Sequence, residues 1–150
     1  MTIRVRQMEP LDLTAWAEMR VRLWPESSVA EHTKDIEEIL GSSKDYWGFL
    51  AETSKGAPIG FAEVAIRAYA NGCETRPVAF LEGVWVAPEL RRQRVGARLV
   101  QHVEEFVRRR GFREIGSDAL AANGVGIASH RGWGFAETER VVYFRKDLTG

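Results

Sequence analysis

FLEGVWVAPELRRQRVGARLVQHVEEFVRRR, residues Phe80 to Arg110, is the stretch whose reading decides the fold. Phe80 to Val86 predicts a strand, with Phe80, Glu82, Val84 and Val86 on one face and Leu81, Gly83 and Trp85 on the other, because strand side chains alternate. Gly83 in mid-strand predicts a bulge or a close backbone approach by a ligand. Pro88 marks a turn, after which Arg91, Arg92, Arg94 and Arg98 cluster around Gly96. Val95, Leu99, Val103, Phe106 and Val107 then recur at helical spacing until Gly111. Strand, turn and helix in that order put the arginines at a helix N-terminus, where unpaired N–H groups and the positive end of the macrodipole favour bound phosphate.

Downstream, Arg113 to Asp118 predicts a short strand. A helical crossover joins it to the previous one, so the two are expected to be parallel neighbours. Upstream, Thr2 to Gln7 alternates as a half-buried strand. Pro10 opens a helix that ends at Leu23, Trp24 and Pro25, and Glu31 to Leu40 predicts a second helix stopped by Gly41. Tyr46 to Glu52 and Ile59 to Tyr69 predict a hairpin, and Asn71 to Pro77 a further connection. Asn123 to Arg131 predicts a short helix, followed by a last strand through Val141, Val142, Tyr143 and Phe144. Antiparallel strands first and a parallel unit afterwards predict a mixed α/β sheet rather than a doubly wound one.

Composition narrows the class. The 150 residues are 45% hydrophobic and 28% charged, which suits one globular domain over residues 1–150. Lys plus Arg and Asp plus Glu stand at 21 each, which removes the basic excess expected of a nucleic-acid binder. Cys73 has no second cysteine to pair with, and neither MTIRVRQMEP nor any later run is apolar enough for a signal or a span. A cytoplasmic protein with no membrane or nucleic-acid partner is expected. No His, Cys and Asp set has metal-ligand spacing, so no metal is expected.

The segment Arg91, Arg92, Gln93, Arg94, Val95, Gly96, Ala97 resembles the phosphate loop of the GNAT superfamily of acetyl-CoA-dependent N-acetyltransferases. Arg94 stands where that family usually has its first glycine. EVAIRAYANGCETRPVAFLEGVWV, GSDA and GWGFAETERVVYF look like the bacterial aminoglycoside 6'-N-acetyltransferases of the chromosomally encoded subgroup. The resemblance implies the GNAT acyl-CoA N-acyltransferase fold: a mixed, mostly antiparallel sheet, a parallel pair splayed at the cofactor site, and about four flanking helices. It implies acetyl-CoA as co-substrate, a cationic aminoglycoside as acceptor, resistance as outcome, and a homodimer. On the substrate side it implies Trp24, Tyr69, Glu82, Asp118 and Glu139. On the cofactor side it implies Val84, Trp85 and Val86, the loop from Arg91 to Ala97, and Asn123.

The residues suit that chemistry. Backbone groups of Val84 to Val86 lie at the C-terminal end of a parallel strand, where an amide-rich pantetheine arm can pair like an added strand. The Val84 N–H can face the thioester oxygen as charge develops on it. A carboxylate amid PVAFLEGVWV is costly to bury without a partner, so Glu82 is a catalytic candidate, and Asp118 brackets the amine with it. Relatives place a tyrosine acid in the helix before the last strands. The matching place in SHRGWGF holds His130, and the acid stays open between His130, Tyr143 and solvent. Two other readings stay open: a GNAT enzyme for a polyamine, amino sugar or protein lysine, and a non-catalytic acetyl-CoA-binding module.

Overall fold

The computed structural model describes residues 2–42 and 45–150, and the chain separates into two compact units, Met1–Asp118 and Ala119–Gly150. The first unit is a five-stranded sheet in sequence order: β1 (Ile3–Gln7), β2 (Tyr46–Thr53), β3 (Pro58–Arg67), β4 (Val78–Val86) and β5 (Ile115–Gly116). Neighbours are antiparallel except β4 and β5, which are parallel, as the crossover requires. The mixed α/β sheet is therefore as expected.

Helices α1 (Leu13–Leu23) and α2 (Val29–Gly41) cover one face of this sheet, and α3 (Val95–Arg109) covers the other. The start of α2 has a reciprocal cap. Ser28 Oγ accepts the Glu31 N–H at 3.1 Å and the Glu31 carboxylate accepts the Ser28 N–H at 3.0 Å, satisfying two donors that would otherwise be orphaned. On the first face Met8, Trp16, Ala17, Met19, Ile36, Leu50 and Phe61 form the core. On the second, Val95, Leu99, Val100, Val103 and Val107 of α3 are buried, each adding about 1.5–3 kcal/mol of apolar burial for its larger side chains. Alternation along β2 feeds both faces: Leu50 joins the first cluster, while Phe49 meets Phe106 of α3 at 5.0 Å.

Strand β4 corrects the expected alternation. Glu63 of β3 stands opposite Gly83, but its neighbour Val64 stands opposite Leu81, so Glu82 is an extra residue in a β-bulge. Bulges place two consecutive side chains against one partner. Glu82 and Gly83 therefore turn toward the face covered by α1, with Trp85 opposite Phe61, whereas Leu81, Val84 and Val86 belong to the α3 face. The bulge expected from Gly83 is present. The close approach there is made by the protein itself, since a Cβ on Gly83 would lie 2.6 Å from Trp24 Cζ2 and 2.9 Å from Leu23 Cδ2.

In the second unit, α4 (Gly124–Gly132) begins at Asn123, whose Oδ1 accepts the Gly126 N–H at 2.9 Å. His130 packs against Trp133 and Phe135 at 5.2 and 5.4 Å between ring centroids. The strand expected over Val141 to Phe144 does not form. A strand exists through a hydrogen-bonded neighbour, and these residues have no ladder among the described residues. Val142, Tyr143 and Phe144 are 75%, 81% and 93% exposed.

Candidate active site

Two consecutive strand ends and one helix start build the candidate site of the first unit. The parallel pairing of β4 and β5 consists of Ala79 with Ile115 and Phe80 with Gly116, and stops there. Beyond it the Ser117 hydroxyl donates to the Leu81 carbonyl at 3.1 Å, and residues 83–86 of β4 pair with β3 on their other side. One backbone edge of Val84, Trp85 and Val86 therefore has no strand beside it among the described residues. That is the geometry an extended, amide-bearing ligand needs to add itself as a strand.

After β4, a one-turn helix Pro88–Leu90 leads into Arg91, whose Nε donates to the Val86 carbonyl at 3.2 Å. Arg92 and Arg94 both have left-handed backbones, with φ of 68° and 66°. Arg94 is the N-cap of α3, and its carbonyl accepts the Arg98 N–H at 3.0 Å. The departure from the family's loop thus falls on a position whose conformation favours glycine, and the chain adopts the glycine geometry with arginine in place. Arg91, Arg92, Gln93, Arg94 and Arg98 are exposed around the helix start, with Val95 buried and Gly96 and Ala97 half-buried. Amides at a helix N-terminus ringed by guanidinium groups suit a pyrophosphate.

The carboxylate Glu82 projects from the bulge and is gripped by Arg67 of β3. Arg67 Nε donates to Oε2 at 2.9 Å and NH2 to Oε1 at 2.8 Å. The guanidinium lies over the Phe80 ring at 3.6 Å. The Glu82 hydrogen bonds raise the Arg67 pKa above its ordinary value, against a smaller opposing effect of burial. The negative charges of Glu82 and Asp118 add to the rise. Asp118 itself is exposed, two residues beyond β5.

Behind it lies a second carboxylate that sequence reasoning missed. Glu63 is fully buried and accepts four hydrogen bonds: from Trp16 Nε1 at 2.7 Å, Arg20 Nε at 2.7 Å, Arg20 NH2 at 2.6 Å and the Tyr46 hydroxyl. Burial drives the Tyr46 phenol far above its ordinary pKa, and the Glu63 charge adds to the rise. Burial works against the Arg20 charge, but Glu63 outweighs it and the pKa is raised. Arg20 NH1 also reaches His32 Nδ1 at 3.5 Å, while His32 Nε2 donates to the Trp24 carbonyl at 2.9 Å. Trp24 lies between this network and Gly83, with Arg20 5.1 Å above its ring. The signal available in the sequence was the one used for Glu82: a single carboxylate in an apolar strand, here GFAEVAI.

Tyr69 is 60% exposed and carries Arg76 5.6 Å from its ring centroid. The following connection is pinned by Glu114, whose carboxylate accepts the Thr75 hydroxyl at 2.6 Å and the amides of Thr75 and Glu74. These bonds hold its pKa below the ordinary carboxylate range. In the second unit Asn123 caps α4, Glu139 and Tyr143 are exposed, and His130 Nδ1 lies 2.7 Å from the Gly126 carbonyl. Among the described residues no His, Cys, Asp and Glu group could hold a metal ion.

The family model for acetyltransferases of the GNAT family matches residues 13–135. Aminoglycoside N(6')-acetyltransferase type 1 of Serratia marcescens is 46% identical, over 91% of this chain and 94% of its own length. The enzyme of the same name from Stenotrophomonas maltophilia is 43% identical, over 96% and 93%. Among solved structures, AAC(6')-Iy in complex with the bisubstrate analogue CoA-S-monomethyl-acetylneamine aligns with a TM-score of 0.91 at 38% identity, over 99% of this chain and all of that one. Aminoglycoside 6'-N-acetyltransferase AAC(6')-Ih from Acinetobacter baumannii aligns with a TM-score of 0.90 at 36% identity, over 98% and 99%.

Proposed function

Because the chain belongs to the acetyltransferase (GNAT) family, we propose that it transfers the acetyl group of acetyl-CoA to the 6'-amine of aminoglycoside antibiotics and so confers resistance to them. The observation that carries the reading is Glu82. A bulge turns this carboxylate out beside the point where β4 and β5 part, with an arginine-ringed helix start at the other end of the same strand segment. An anionic group for the amine thus stands close to a strand edge and a phosphate cradle for the cofactor.

In this reading the loop from Arg91 to Ala97 holds the pyrophosphate, and Val84 to Val86 pair with the pantetheine arm. Acetyl-CoA supplies the activated acyl group. Glu82, with Asp118, attracts the protonated amine and accepts its proton, directly or through water. The freed nitrogen lone pair attacks the thioester carbon, and the Val84 N–H stabilises the oxygen as it gains charge. The C–S bond then breaks, and the sulfur leaves with a proton from His130, Tyr143 or solvent. Trp24, held by His32 and packed on Gly83, and the exposed Tyr69 offer ring faces to the sugars. For Asn123 and Glu139 the support is the family resemblance.

Exposed Val142, Tyr143 and Phe144, which pair with no strand among the described residues, support a homodimer in which a second copy covers them. No helix among the described residues is long and apolar enough to cross a membrane. Acetyl-CoA is an intracellular metabolite, which supports a cytoplasmic site of action.

The test is release of free thiol when the protein is mixed with acetyl-CoA and a panel of aminoglycosides and polyamines. Turnover with kanamycin or tobramycin that exceeds every polyamine is expected. No release above background with any aminoglycoside would overturn the reading.

A further inference from the structure

Arg67 occupies the place an incoming cation needs. Its fork engages both oxygens of Glu82 at 2.8 and 2.9 Å, so the carboxylate proposed to receive the substrate amine is already satisfied by the protein. Yet the pair is open: the two side chains are 42% and 18% exposed, and ion pairs this accessible are weak. The negative charges of Glu82 and Asp118 both act on the Arg67 guanidinium, so an incoming cation would meet the same attraction. Phe80, 3.6 Å beneath the guanidinium, gives the Arg67 side chain a surface on which it can stay stacked after letting the carboxylate go.

We propose that Arg67 is a tethered stand-in for the substrate's ammonium group, holding Glu82 in the unliganded enzyme and giving it up to the cationic acceptor. Arg67 thereby tunes acceptor affinity and disfavours uncharged acceptors, which have no means of displacing it. The inference rests on the reading of Glu82 as the amine's carboxylate. Arg67 is a specificity-determining residue, since it touches the catalytic carboxylate and competes with the substrate for it. A scaffold role would act in the opposite direction, because losing a support for Glu82 would weaken acceptor binding.

Arg67→Met keeps an apolar stem over Phe80 and removes the charge. The KM for kanamycin is expected to fall about two- to fivefold, the span set by exposed ion pairs, with a smaller change in kcat and none in the KM for acetyl-CoA. Arg67→Lys, which keeps a tethered cation, is expected to stay near the wild-type KM. An acceptor KM that is unchanged or raised in Arg67→Met would overturn the proposal. Should that variant not fold, Arg67→Gln is read by the same criterion. A wild-type enzyme that turns over aminoglycosides while Arg67→Met shows no fall sinks this inference alone, whereas a wild type without turnover sinks the functional reading with it.

Discussion

Glu63 and Glu82 are carboxylates in apolar strands, both turned to the same side of the sheet and both held by an arginine fork, yet they differ in everything that decides use. Glu63 is sealed, with four donors on its two oxygens and an arginine 6% exposed. Glu82 has two donors among the described residues, both from Arg67, and a route to solvent. A buried pair is tolerable when every lone pair is satisfied, and then it fixes the elements that supply the donors. Here those are α1 and β2, fixed to the β3 strand that carries Glu63, with α2 tied in through His32. An open pair fixes little and exchanges partners readily, as a binding site requires. The comparison teaches that the same residue pair becomes scaffold or site according to how many further donors the fold brings to it.

The largest expected effect breaks the sealed member. Glu63→Ala strands the Arg20 guanidinium in the core and is expected to cost about 3–5 kcal/mol in denaturant unfolding, with Arg20→Met alongside it recovering part of the loss. Removing Glu82 in the same assay is expected to change stability by under about 1 kcal/mol, in line with an exposed pair. Equal losses at the two positions would dissolve the distinction.

The open member is expected to respond in rate instead. Glu82→Gln keeps the shape, removes the proton acceptor, and is expected to lower kcat about 100-fold, roughly 2.7 kcal/mol of barrier, while the KM for acetyl-CoA stays put. An unchanged kcat would take Glu82 out of the mechanism and leave its electrostatic role.

This contrast was half legible in the sequence. The cost of burying a carboxylate singled out Glu82 from PVAFLEGVWV, and the same reasoning applies without change to Glu63 in GFAEVAI. What separates them is Arg20, 43 residues away from Glu63 in the chain, and no local pattern reports it. Strand, turn and helix from Phe80 to Arg110 were readable because periodicity and turn residues are local. The direction of Glu82 was readable only in part: Gly83 signalled the bulge, but the side of the sheet it selects depends on the β3 register. Val141 to Phe144 has strand composition without a ladder among the described residues, because composition sets a preference and a ladder needs a neighbour. At Arg94 the chain keeps a left-handed backbone where relatives are expected to have glycine, so the loop's shape outlasted the residue that makes it easy.

The smallest effect sharpens the sealed side. Tyr46 is one of four donors to Glu63, and Tyr46→Phe leaves three, for an expected loss of about 1 kcal/mol near neutral pH. Its distinctive signature is alkaline. Burial first, and the Glu63 charge next, hold the phenol neutral in the folded chain at pH values where an unfolded tyrosine ionises. A group whose folded pKa is raised contributes its full stability below the unfolded value, about 10, and loses it as pH climbs from there toward the folded value. Wild-type stability is therefore expected to decline above pH of about 10, and Tyr46→Phe to flatten that part of the decline in melts across the alkaline range. An identical slope in both proteins would mean that the phenol ionises as freely in the fold as outside it, and Glu63 would then be no more sealed on that side than Glu82.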